Sequence, residues 1–147
     1  MQTFVPLISS RIPGQNGVLQ VPRLWQKLSL EAQGKLAAGY PGAGQGFDDF
    51  VISGLGFDRT AAINYIKTDR PTYPQFEAWI AKQPGVKLDK GSVDTLNGRI
   101  IGYNHDDATR QAILAEAGIP DDANAPRDAV TLNEIEDRQA FYAAELK

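Results

Sequence analysis

The chain has one histidine, and it stands in the stretch with the densest reactive side chains, Gly102-Tyr103-Asn104-His105-Asp106-Asp107-Ala108-Thr109-Arg110. A phenol, an amide, two carboxylates and a guanidinium surround an imidazole, the one side chain whose ordinary pKa lies near neutrality. Acid–base chemistry would give His105 the role of base and Asp106 that of orienting the ring. Tyr103 would be a proton donor. Two plainer readings stand beside this one. His105 fits an exposed loop residue just ahead of a helix cap, and it also fits a structural hydrogen-bonding residue. Asp106 fits a helix cap as well as an orienting partner.

A second set points to binding. Arg23 falls one position inside a helix start, beside Trp25, where a guanidinium can clamp a carboxylate in fork geometry. It can equally tie the N-terminal segment to that helix. Asp48 and Asp49 open a later helix, where neighbours point about 100° apart and do not converge. One of them, Asp48, can enter a pocket while the other caps. Tyr40 lies in a connection, where phenols often face solvent or a ligand. Arg23, Trp25, Tyr40 and Asp48 are therefore the candidate ligand-binding residues. At the glycine-rich loop from Tyr40 to Gly46, the preceding Gly39 and Gly44 have phosphate-loop spacing, but Gln45 stands where the lysine is needed. The loop reads as a connector.

Composition excludes several classes. The 147 residues are 42% hydrophobic and 22% charged, as in a soluble globular domain. The absence of cysteine removes disulfides, thiolate nucleophiles and thiolate zinc sites. No EF-hand pattern occurs, and neither a metal nor a cofactor is expected. The net charge of -3 argues against nucleic acid, whose phosphates demand concentrated positive charge. Only Arg23 and Lys27 form even a small basic pair. No run approaches the ~20 apolar residues of a membrane span, and the first residues have no leader pattern, so a cytoplasmic location is expected.

Periodicity then supplies the elements that would position these groups. Val21, Leu24, Trp25, Leu28, Ala32 and Leu36 recur at helical spacing after Pro22, with Gly39 as the stop. Phe47, Phe50, Val51 and Leu55 mark a second helix. Asp58 caps a third, Thr72 with Gln75 boxes a fourth, and Asp89 or Ser92 opens a fifth. Asp106 or Asp107 opens a sixth, which Gly118 closes. Thr131 to Glu134 reads as a capping box for the last. No strand pattern and no internal repeat occurs. The expectation is an all-α fold, an irregular bundle of six to seven short helices over residues 21–147. Residues 1–20, apolar yet aperiodic, form an extended arm laid over the domain or over a partner subunit.

The order of several strings resembles a known family. Ser10-Arg11-x-Pro13 is followed by Val21-Pro22-Arg23-Leu24-x-x-Lys27 and a glycine-rich loop before Phe47-Asp48. Asn97-x-Arg99-Ile100-Ile101-Gly102 comes later, and then Asp128-x-Val130-Thr131 ahead of Glu134-Ile135-Glu136-Asp137. Together they resemble the bacterial domain-of-unknown-function family 5069 over most of the chain. The family's tryptophan near Thr131 is replaced here by Leu132 and Asn133. The resemblance implies a stand-alone, largely helical bacterial protein and no particular reaction. Two functions are expected from these readings. The first is a binding module for a small polar or anionic ligand or a protein partner, with homo-oligomerisation through the arm. The second is a small metal-free enzyme using His105, Tyr103 and Asp106 for proton transfer, elimination or hydration.

Overall fold

The computed structural model describes residues 2–147. Seven α-helices follow in order: α1 (Val21–Ala32), α2 (Phe47–Leu55), α3 (Arg59–Asp69), α4 (Tyr73–Ala81), α5 (Lys90–Ile101), α6 (Asp107–Ala117) and α7 (Ala129–Phe141). A π-helical turn, Tyr142–Leu146, ends the chain. There is no sheet among the described residues, only three isolated bridges, so the all-α expectation holds. No described helix is long and apolar enough to cross a membrane.

Side-chain caps start most of these helices. The carboxylates of Asp58, Asp89, Asp106 and Asp128 each accept the backbone N–H three residues on, at 2.7, 3.1, 2.7 and 2.9 Å. Thr72 and Gln75 form a reciprocal box. Each such cap contributes about 1 kcal/mol and fixes where the chain turns. Two boundaries differ from the sequence expectation. α1 stops at Ala32, because Gly34 takes a left-handed φ of 67° and turns the chain out of the helix. Leu36 consequently lies in an extended bridge to Phe4. α7 is capped three residues earlier than expected, by Asp128 and not Thr131, which releases Glu134 for a long-range contact.

Two apolar clusters fill the interior. The larger joins α1 to α5, with Leu24, Val51, Leu55, Ile66, Phe76, Ile80 and Ile100 among its most enclosed side chains. The smaller holds Ile113 and Leu114 of α6 against Leu132 of α7. Ala129 and Val130, at the start of α7, pack into the larger cluster and connect the two.

Residues 2–20 run as an extended arm over this bundle, tied down chiefly by hydrogen bonds. Phe4 exchanges backbone bonds with Lys35 and Ala37. Ile8 N–H donates to Gln26 at 3.0 Å. The N–H groups of Gln15 and Asn16 reach the buried carboxylate of Glu77 at 3.1 and 3.2 Å. Asn97 accepts from Leu19 N–H and donates to Gly17 C=O. The apolar character of the arm is only partly spent on packing. Val18 is indeed buried, but Phe4, Leu7 and Ile12 remain exposed.

Gly14 shows how closely the arm sits. A methyl at its Cβ position would lie 1.9 Å from Glu77 Oε1 and 2.0 Å from the Tyr73 hydroxyl. Gly14→Ala should therefore destabilise the protein by about 1–3 kcal/mol, the usual cost of forced overpacking. The check is a urea titration, and an unchanged midpoint would mean that the arm is not seated on α4 in this way.

Candidate functional site

Arg23 and Lys27 lie one helical turn apart on α1, and both point inward. The Arg23 guanidinium forms a two-pronged bond with Asp137 of α7, Nη1 to Oδ2 at 2.6 Å and Nη2 to Oδ1 at 3.0 Å. Nη1 also donates to the carbonyls of Pro6 and Ile8 in the arm, at 3.1 and 3.0 Å. Both members of the ion pair are buried. Tyr40 completes the group, its hydroxyl donating to Asp137 Oδ1 at 2.9 Å. Burial pushes the Tyr40 phenol well above its ordinary pKa, and the Asp137 charge adds to that. One carboxylate thus gathers α1, α7, the arm and the loop after α1.

Lys27 makes a second buried pair, with Asp48 at the start of α2. Asp48 also accepts from Gln20 Nε2 and from Gly44 N–H, both at 2.8 Å. Arg59 of α3 donates to the carbonyls of Ala43 and Gly44 and to Asp49. The glycine-rich loop is therefore pinned from both sides by the fold, in keeping with its reading as a connector.

The structure places the candidate ligand-binding residues as follows. Arg23, Tyr40 and Asp48 are engaged by other protein groups, so they do not present an open anion clamp. Trp25, on another face of α1, donates from Nε1 to Pro71 C=O at 3.0 Å and lines a small cavity.

The candidate acid–base residues lie elsewhere. His105 is half-buried, and its Nε2 hydrogen-bonds Asn133 Oδ1 of α7 at 2.8 Å. An amide oxygen only accepts, so Nε2 carries the proton in this pairing. Asp106 spends its carboxylate on the cap of α6. The Thr109 backbone N–H is the largest cause of its lowered pKa, and His105 contributes less. Asp106 is thus a cap and does not orient the imidazole. Tyr103 stands edge-on to Phe47, Phe50 and His105, with centroids 5.9, 5.5 and 6.2 Å away. It is exposed, and its backbone carbonyl accepts from Ala129 N–H. The structure does not draw Arg23, Asp48, Tyr103 and His105 around a common ligand.

Four partners carry no local signal in the sequence. Asp137 and Glu77 are buried carboxylates inside amphipathic helices, each matched to a group far along the chain. Arg110 is buried, with Nε donating to Pro126 C=O and Nη1 paired with Asp121 at 2.8 Å. Asp121 therefore anchors the loop between α6 and α7 to α6. Glu136 is the fourth. Its carboxyl is held above the usual range although the side chain reaches solvent, with desolvation the largest cause and the Asp137 charge next. No group of three or more potential metal ligands occurs among the described residues.

No family model and no curated protein matches the chain.

Removing one partner of a buried ion pair leaves an uncompensated charge and costs about 3–5 kcal/mol. Asp137→Ala should lose stability on that scale in chemical denaturation. Asp137→Leu combined with Arg23→Met should recover most of it. A double variant no better than the single one would show that the pair's hydrogen bonds, and not its charge balance, dominate.

The two strongly raised phenols, Tyr40 and Tyr73, also set an alkaline limit. Burial is the largest cause for Tyr73 too, with its bond to Glu77 next. A phenol whose folded pKa lies above its unfolded value holds its proton longer in the native state. Its contribution is complete below pH 10.0, the ordinary value, and declines as pH rises beyond it. Stability should fall by up to about 1.4 kcal/mol per pH unit per phenol in that window. The Tyr40→Phe, Tyr73→Phe double variant should show a flatter alkaline limb, measured as melting temperature against pH.

Proposed function

We infer that the protein is a binding module that docks a second protein chain, in the first instance another copy of itself, through the face formed by its arm and its last helical turns. The observation that carries this is a clustering of exposed apolar side chains. Eight large hydrophobic residues are exposed among the described residues, and five of them lie in the arm or in the last helical turns: Phe4, Leu7, Phe141, Tyr142 and Leu146. Their exposures run from 37% at Phe141 to 64% at Leu146. Phe4, Val5, Leu7 and Phe141 line a groove of about 290 Å³ between arm and helix, with Gln2 and Glu145 at its rim.

Scattered surface apolar residues need no explanation, but a gathered set marks an interaction surface. Apart from the Glu145 carboxylate the groove is uncharged, and a two-fold contact between two such apolar surfaces is self-complementary. The polar and cationic interior of α1 supports the same reading from the other side. Arg23 and Lys27 are consumed in fixing the arm and the glycine-rich loop, which holds one wall of the groove in place. The resemblance to family 5069 adds no activity to this reading.

Light scattering across about 1 µM to 1 mM should show a mass rising from 16.0 kDa towards twice that value. Phe4→Ser with Phe141→Ser should hold the mass at the monomer value without loss of helix content. A wild-type protein that stays at 16.0 kDa throughout would overturn the proposal.

A further inference from the structure

Residues 9–16 of the arm are held differently from the residues on either side of them. Before them, Arg23 donates to the Pro6 and Ile8 carbonyls, and the Gln26 amide accepts from Ile8 N–H at 3.0 Å. After them, the Asn97 amide accepts from Leu19 N–H and donates to the Gly17 carbonyl. A guanidinium keeps its charge in proteins and an amide has none to lose. Both ends of the segment are therefore fastened by groups that do not titrate.

The segment itself reaches the helices through carboxylates. Ser9 Oγ and Arg11 Nε donate to Glu134 Oε2 of α7 at 2.5 and 2.6 Å, and Arg11 Nη2 donates to Glu134 Oε1 at 3.0 Å. The N–H groups of Gln15 and Asn16 donate to Glu77 of α4 at 3.1 and 3.2 Å. Among the described residues, one further bond leaves the arm from this segment, from Arg11 Nη2 to the Thr131 hydroxyl at 3.2 Å. Its backbone bonds stay inside the arm. Apolar burial adds little, because Arg11, Ile12, Pro13, Gln15 and Asn16 are exposed. Ser10 is buried, yet its hydroxyl has no hydrogen-bond partner. A buried hydroxyl left unsatisfied regains its hydration in water, so Ser10 favours an open form of the segment.

The charges around the two carboxylates decide what acid does. Glu134 is faced by Arg11 from the arm and by Arg138 one turn along α7, and Asp128 also attracts Arg11. The Arg11 bond is the first cause that holds the Glu134 carboxyl below its ordinary value of 4.5. A carboxyl lowered in the folded form stabilises that form above the ordinary value, and the contribution is lost as pH falls below it. Glu77 enters none of the ion pairs of the described residues. The Tyr73 phenol donates to it at 2.9 Å, and Val18, Val21, Leu55, Ile80 and Leu88 beside it are apolar. Protonation would give Glu77 a hydrogen that faces donors and not acceptors. Asp137 contacts Arg23 and Tyr40 and no residue of the segment.

We propose that residues 9–16 form an acid-opened flap, closed onto α4 and α7 by two carboxylates and hinged on anchors that do not titrate. Protonation of Glu134 and Glu77 removes the acceptors of Ser9, Arg11, Gln15 and Asn16, while the helices keep their apolar core. The flap is separate from the docking groove, whose arm residues Phe4, Val5 and Leu7 precede the first hinge.

The test is 15N relaxation, a readout of local backbone motion that does not depend on whether the chain self-associates. Order parameters of Arg11, Ile12, Gln15 and Asn16 should be near about 0.85 at neutral pH and below about 0.6 by about pH 3. Those of Ile8, Leu19 and the helices should stay at the rigid value. Glu77→Gln with Glu134→Gln should open the flap at neutral pH without loss of helical circular dichroism. Glu134→Gln alone should loosen Arg11 and Ile12 and leave Gln15 and Asn16 rigid, which decides the matter if the buried Glu77 position does not tolerate change. A flap that stays rigid in acid over a folded bundle would overturn the proposal. Loosening that comes only with loss of the helices would do the same, as would a Glu134→Gln variant whose Arg11 is as ordered as in the native chain.

Discussion

The Arg23–Asp137 pair is the constraint around which the rest is arranged. Burying two ions carries a desolvation cost that a single contact does not repay. Here the guanidinium makes four hydrogen bonds, two to the carboxylate and two to arm carbonyls, and the carboxylate takes a third donor from Tyr40. Arginine is suited to this because its planar fork matches a carboxylate edge-on and still has N–H groups to spare. The consequence is topological. An extended arm, a loop and the first and last helices, four segments with little apolar contact in common, share one polar node. The resulting rigidity comes from satisfied hydrogen bonds as much as from packing.

The same device recurs on a smaller scale. Lys27 and Asp48 fasten the glycine-rich loop to α1, Glu77 fastens the turn of the arm to α4, and Asn97 fastens its end to α5. Arg11 and Ser9 meet Glu134 of α7, and the Arg11 bond is the largest cause holding the Glu134 carboxyl below its usual pKa. An arm held this way does not need to bury its hydrophobic residues. Phe4 and Leu7 are free to face outward because backbone bonds to Lys35 and Ala37 and the Arg23 contacts already fix the strand that carries them. The exposed apolar face and the buried polar seam are two sides of one arrangement.

The helices and their caps were legible from sequence because both are local. Asp58, Thr72 with Gln75, Asp89 and Asp106 each act on an N–H three residues away, within reach of any reading of adjacent residues. What sequence left hidden is long-range. Arg23 is 114 positions from Asp137, and nothing beside Asp137 distinguishes it from an ordinary helical surface carboxylate. The end of α1 was misplaced because Leu36 keeps helical spacing with Leu28 and Ala32. The left-handed Gly34 overrides that spacing and hands Leu36 to the bridge with Phe4. The start of α7 was misplaced because Thr131 and Glu134 imitate a capping box. In the fold, Glu134 turns instead to Arg11, and Thr131 gives its own N–H to Asp128.

The distribution of charge across α1 explains why its two conspicuous cations do not form an open anion clamp. Arg23 and Lys27 have the residue types of a phosphate or carboxylate clamp, yet each is closed off by an aspartate and lies beneath chain. An incoming anion would have to displace an internal carboxylate already held by two or more donors, at a cost comparable to breaking a buried pair, about 3–5 kcal/mol. Physical chemistry therefore gives structural duty to these two saturated cations, although the sequence makes them the most conspicuous candidates for holding a ligand.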